Sequence, residues 1–118
     1  MPAHLDPDKV WIVIRDAAKL LLAEGRVFIS QDRNHHYPLL GVDDDEIVVE
    51  RTGRDGKQQI KKVTPHNVRR VIECLNSRGG RSLRQDTPGD VYIHNILVEL
   101  HPALRFVGTM LVIDPSRT

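Results

Sequence analysis

Three times along this chain, a residue with a short oxygen-bearing side chain is followed at once by proline and then by apolar residues at helical spacing. The pairs are Asp6-Pro7, Thr64-Pro65 and Thr87-Pro88. Asp and Thr offer an oxygen to the free N–H groups of a first helical turn, and proline fits that turn because its missing N–H was never needed there. Each pair therefore predicts a helix start. After the first, Val10, Val13, Ile14, Ala17, Ala18 and Leu21 make one apolar face and Gly25 offers a stop, so a helix is expected over about 7–24. Trp11 lies off that face and reads as a rim residue of the core. After the second, Val68, Val71, Ile72 and Leu75 form an i, i+3, i+4, i+7 stripe that Gly79-Gly80 ends. After the third, Asp90 stands three residues beyond Thr87 as in a capping box, and Ile93, Ile96, Leu97 and Leu100 supply a buried face before Pro102.

The segments between these helices carry strand signals. Val27-Phe28-Ile29-Ser30 reads as a short strand. Glu46 to Arg51 and Lys57 to Val63 flank Asp55-Gly56, and an Asp-Gly pair between two such runs predicts a β-hairpin. Residues 31–45 are broken by Pro38, Gly41 and Asp43-Asp44-Asp45, while Tyr37, Leu39, Leu40 and Val42 read as core contacts. Phe106 to Ile113 reads as one final apolar strand, rich enough to be buried on both faces or to serve a partner. The predicted order is α-β-β-β-α-α-β. With 118 residues, 40% hydrophobic and only 4% aromatic, the chain has material for one core built on Val, Ile and Leu. The expectation is a single α+β domain over residues 1–118. It comprises a small antiparallel sheet with a basic β-hairpin, packed by three helices, an order that also admits a winged-helix-like arrangement.

Charge is the second constraint. Ten of the seventeen Lys and Arg residues fall between Arg51 and Arg84, against Asp55 and Glu73 alone, a formal +8; the remainder holds seven cations against fourteen acids, −7. The near-neutral total thus hides a polarised molecule, and local charge of this sign attracts phosphates. On the hairpin the cations are Arg51, Arg54, Lys57, Lys61 and Lys62; on the second helix, Arg69 and Arg70; in the connection beyond it, Arg81 and Arg84. These nine are the candidate nucleic-acid-binding residues. Their place on adjacent elements leads us to expect one contiguous surface. The start of the second helix adds free N–H donors, with His66 and Asn67 within reach of a base edge. The connection holding Arg81 and Arg84 is too long for the turn of a helix-turn-helix. It reads either as a plain αα packing unit or as a flexible phosphate-contacting loop.

Catalytic patterns do not emerge. Cys74 is the one cysteine, which excludes an internal disulfide and a Cys-based zinc cluster; between Ile72 and Leu75 it reads as a packing residue. His35 and His36 are adjacent, so on a strand they face opposite ways, and His94 and His101 are two helical turns apart. Asp43, Asp44 and Asp45 read as a solvated loop rather than a cation site. A nuclease pattern with an acid, a second acid and a lysine would need Gln59-Ile60-Lys61 to begin with an acid. No cofactor or metal is called for. No apolar run approaches a membrane span or a signal-peptide core, and with the lone cysteine this gives a cytoplasmic expectation.

The middle of the chain resembles a small bacterial domain that occurs alone or attached to restriction-type and other DNA-processing enzymes. The likeness covers residues 40–102. Its elements are Val42-Asp43-Asp44-Asp45-Glu46-Ile47-Val48-Val49 before an Arg-Thr-Gly turn, Ile60 through Val63, Val68-Arg69-Arg70-Val71-Ile72-Glu73, and Tyr92-Ile93-His94-Asn95-Ile96-Leu97-Val98-Glu99-Leu100. That resemblance implies a DNA-associated accessory role and assigns no catalytic residue. The expected function is a non-catalytic nucleic-acid-binding module, DNA before RNA, gripping duplex phosphates through the hairpin and helix. The alternative is a protein-interaction or homo-oligomerisation module using the C-terminal apolar strand and the outer side of the first helix. No membrane partner is expected.

Overall fold

The computed structural model describes residues 4–25, 28–29, 36–52 and 55–117. It is α+β, with helices α1 (Pro7–Ala23), α2 (Pro65–Ser77) and α3 (Val91–Leu100). A short ladder joins β1 (Phe28–Ile29) to β2 (His36–Tyr37). One three-stranded antiparallel sheet holds β3 (Leu39–Val42), β4 (Ile47–Thr52) and β5 (Gln58–Val63) in that order. A second holds β6 (Arg81–Leu83), β7 (Leu104–Val107) and β8 (Met110–Ile113) in the order β6-β8-β7.

The first two helix starts follow the predicted chemistry. Asp6 accepts from the Asp8 N–H at 2.9 Å. Thr64 accepts from the Asn67 N–H at 3.3 Å, while Asn67 Oδ1 accepts from the Thr64 N–H at 3.0 Å, a reciprocal capping box. The third start differs. Thr87 caps nothing: its hydroxyl donates to the Leu83 carbonyl at 3.0 Å, and Asp90 is the N-cap residue, without a side-chain bond. The reason is local geometry. A 3-10 turn over Arg84–Asp86 precedes Thr87, and Gly89 at φ +94° breaks any helical path from Pro88.

Two other expectations are corrected. The connection after α2 is not a flexible loop: Arg81–Leu83 form β6, with Ser82 buried, so α2 and α3 are separated by a strand and a 3-10 turn rather than joined as an αα unit. The C-terminal apolar run is not one strand but the hairpin β7–β8. Gly108 at φ +58° permits the two-residue turn that reverses it. β8 is the central strand of its sheet, so its backbone is paired on both edges.

The core is aliphatic. Val68, Val71, Ile72 and Leu75 of α2 are fully buried, as are Ile47, Val49 and Val63 of the first sheet and Leu111 of the second. α3 runs through the centre with eight of its ten residues buried, more than the one predicted face. On α1 the buried set is Val10, Trp11, Ile14 and Ala18, with Val13 exposed, so the face is rotated toward Trp11 from the predicted one. The physical cause is a polar partner: the indole N–H donates to the Asp44 carbonyl at 3.2 Å, which lets Trp11 enter the core with its nitrogen satisfied. Tyr37 is buried and Leu39 and Val42 pack against the core, whereas Leu40 points outward.

Candidate functional site

The hairpin forms as expected, β4 pairing β5 from Ile47↔Val63 to Thr52↔Gln58. Strand alternation then divides its cations. Lys61 is opposite Val49, on the core-facing side, and is half-buried. Lys62 is opposite Val48, on the outer side, where its ammonium lies 3.3 Å from the Glu46 carboxylate. Arg51 is half-buried on the same side as Val49, close enough to Tyr92 to act on its phenol. Burial raises that phenol's pKa, Asp90 adds to the effect, and Arg51 opposes it. The Tyr92 hydroxyl donates to the Lys62 carbonyl at 3.1 Å, which fixes β5 to α3. Lys57 is exposed, its N–H held by Asp55 at 3.0 Å. Arg54 lies outside the described residues.

On α2, Arg69 and Arg70 are both exposed, but their surroundings differ. Arg69 reaches Asp8 of α1 at 2.6 Å and Glu73 at 3.4 Å, and these carboxylates, Asp8 foremost, raise its pKa. Arg70 has no carboxylate within ion-pair distance among the described residues. Asn67 Oδ1 is taken up by the Thr64 N–H and hydroxyl of the capping box, while His66 is exposed.

Beyond α2 the cations join a different surface. Arg84 stacks its guanidinium 4.2 Å above the Phe106 ring. Arg81 points outward from β6, and the register across the sheet sets it beside Val112, which is in turn beside Arg105. The neighbouring outward row is Leu83, Met110 and Val107. Arg81, Arg105, Val107, Met110 and Val112 line, with Arg78 and Pro115, an open groove of about 630 Å³. Arg105 approaches Asp114 through Nε, at 3.7 Å. Asp114 is held below its ordinary pKa chiefly by bonds from Ser116, with Arg105 and Arg117 adding to them.

Among the described residues, the cations of 51–84 therefore do not share one face: Lys61 and Lys62 point to opposite sides of the hairpin. The sequence pattern did not single out Arg78 and Arg105 as site residues, although the alternation Leu104 in, Arg105 out was a usable signal for the second.

Asp43, Asp44, His94 and His101 have structural settings of their own. Asp43 Oδ1 accepts from the N–H groups of Asp45 and Glu46 at 2.7 and 2.9 Å, and Asp44 faces Arg15 and Lys19. His94 and His101 are buried, and burial lowers both pKa values. Among the described residues no three His, Cys, Asp or Glu side chains converge as a metal site. No helix among them is long and apolar enough to cross a membrane. His35 lies outside the described residues, and Cys74 is half-buried. No protein-family model matches the chain, and comparison with curated proteins and with solved structures gives no match.

Proposed function

We propose that this chain is a non-catalytic nucleic-acid-binding module that holds phosphates electrostatically, in the DNA-associated accessory role that the likeness of residues 40–102 implies. One observation supports the reading most. Among the described residues, Arg51, Lys57, Lys61, Arg70, Arg78, Arg81 and Arg84 have no carboxylate within ion-pair distance, against Lys9 alone outside that segment, while Arg15, Lys19, Lys62, Arg69, Arg105 and Arg117 all do. The uncompensated charge thus sits mainly in the segment the sequence marked as basic. Exposed guanidinium and ammonium groups without internal partners release a phosphate's counterions on contact.

The test is an anisotropy titration of the purified chain against blunt duplex DNA at two salt concentrations. Affinity should fall with salt at a log–log slope of about −0.9 per phosphate contact. Lys57→Ala combined with Arg70→Ala should weaken binding to all duplex sequences alike and make the slope shallower. Affinity that is flat in salt would overturn the reading.

A second reading, a protein-interaction or homo-oligomeric module, draws on α1. Its outer side exposes Ile12, Val13 and Leu20, the last 62% exposed. β8 is central in its sheet and offers no free edge, which leaves β7 as the edge strand of the C-terminal apolar run. A concentration-dependent mass by sedimentation, abolished by Leu20→Glu, would favour it.

A further inference from the structure

The outer face of the β6-β8-β7 sheet carries a pattern that the duplex reading does not use. Two rows cross the three strands. One is Arg81, Val112, Arg105; the other is Leu83, Met110, Val107. A valine flanked on both sides by arginines thus borders a row that is wholly apolar. Strands lie about 4.8 Å apart, so the two arginine Cα atoms are roughly 10 Å from each other, with Val112 between them. Arg78, at the C-terminal end of α2, closes one side of the same groove.

From this arrangement we propose that the groove is a site for an unpaired nucleotide of a single nucleic-acid strand. Val112, Met110 and Val107 would carry the base, and Arg81, Arg78 and Arg105 the phosphates on either side. The inference rests on the nucleic-acid reading and names a distinct contact within it. Charge complementarity selects the occupant. An apolar partner alone gains nothing from three guanidiniums, two of which have no carboxylate partner among the described residues. A phosphate alone gains nothing from an apolar floor, and an exposed apolar floor is costly to keep in water. A nucleotide of a flexible strand presents both chemistries within one repeat. Guanidinium planes stack on bases and fork onto phosphate oxygens, which a lysine does not do. The floor is aliphatic, so base identity is read weakly and the site is tolerant of sequence. The groove volume of about 630 Å³ lies within the range of nucleotide-sized ligand sites. Duplex DNA does not fit this use, because its bases are paired and stacked.

The experiment compares an oligothymidine strand of about twelve nucleotides, within the span of a small single-strand site, with a blunt duplex. Arg81→Ala with Arg105→Ala should weaken strand binding by roughly tenfold, the loss of one to two phosphate contacts, and change duplex binding by less than about twofold. Val112→Thr, nearly equal in volume but polar, should weaken strand binding by a smaller factor. Amide shifts in the unsubstituted protein keep the test independent of whether the variants fold: titration with the strand should perturb 81–83 and 105–112. An unchanged strand affinity in the double variant, or strand-induced shifts confined to 47–70, overturns this site while leaving the duplex reading intact. Failure of the unsubstituted protein to bind strand or duplex overturns both, and capture of an acidic peptide in the groove instead would replace the nucleotide with a protein partner.

Discussion

Arg69 of α2 sits 2.6 Å from the carboxylate of Asp8 on the first turn of α1, a partner 61 residues away in the chain. The contact ties α2 to α1 at the surface. It also surrounds one of the most basic-looking residues of the sequence with acids, because Glu73 holds the other side of the same guanidinium at 3.4 Å. A phosphate approaching Arg69 must compete with both, whereas at Arg70 it meets no such competitor among the described residues. Arg70→Ala should therefore weaken nucleic-acid binding more than Arg69→Ala, and Asp8→Asn should strengthen it. Anisotropy titrations at one low salt concentration check the order. Equal losses for the two arginine variants would show that the ion pairs do not restrain Arg69.

The helix starts make a paired prediction. Thr64→Ala removes half of a reciprocal cap and should cost about 1 kcal/mol, while Thr64→Ser should keep most of it. Asp90→Ala should be nearly neutral, because Asp90 makes no side-chain cap bond. Urea midpoints at unchanged slope measure both. A loss at Asp90 equal to that at Thr64 would mean that the third helix is capped by its side chain after all.

Asn76 is the next residue to test. Its side chain accepts the Leu5 N–H at 3.0 Å and donates to the Leu5 carbonyl at 2.7 Å, copying one rung of a β-ladder. Asn76→Ala removes both bonds in a half-buried setting and should cost about 1–2 kcal/mol. Amide exchange at Leu5 should accelerate with it. An unprotected Leu5 amide in the unsubstituted protein would rule the clamp out.

Acid should destabilise the fold before the carboxylates titrate. Burial lowers the pKa of His94 and of His101 below the ordinary 6.5, so just under that pH the unfolded chain takes up protons that the folded chain refuses. At His94 the Pro88 carbonyl and Asp90 oppose the shift, and Arg84 adds to it. Stability is therefore full above about pH 6.5 and declines as pH falls through the folded-state values. The Asp114 contribution is lost only at lower pH, below the ordinary carboxylate value of 3.8. Thermal midpoints at pH 7.5 and pH 5.5 should differ for the natural chain and differ less for His94→Leu, which cannot take up a proton. An equal decline in the variant would assign the effect elsewhere.

Local sequence decided a great deal here. Two of the three cap-and-proline pairs, the stripe on α2 and the Asp-Gly hairpin were all legible, because capping oxygens, helical spacing and turn residues act within a few positions of one another. What escaped were outcomes set by distant partners. Trp11 entered the core because a carbonyl at Asp44 accepts its indole N–H. The third helix start moved from Thr87 to Asp90 for a local reason instead: a 3-10 turn precedes Thr87, whose hydroxyl donates to the Leu83 carbonyl. The basic segment was visible as composition, but its division was not. The tertiary fold spent Arg69 on Asp8 and Lys62 on Glu46, and laid Arg84 over Phe106. It also assembled the row Arg81, Val112, Arg105 from strands that meet only through long-range register. Charge and periodicity are properties of a sequence window. Which cation finds a carboxylate, and which one faces solvent, depends on contacts that exist only once the chain has closed on itself.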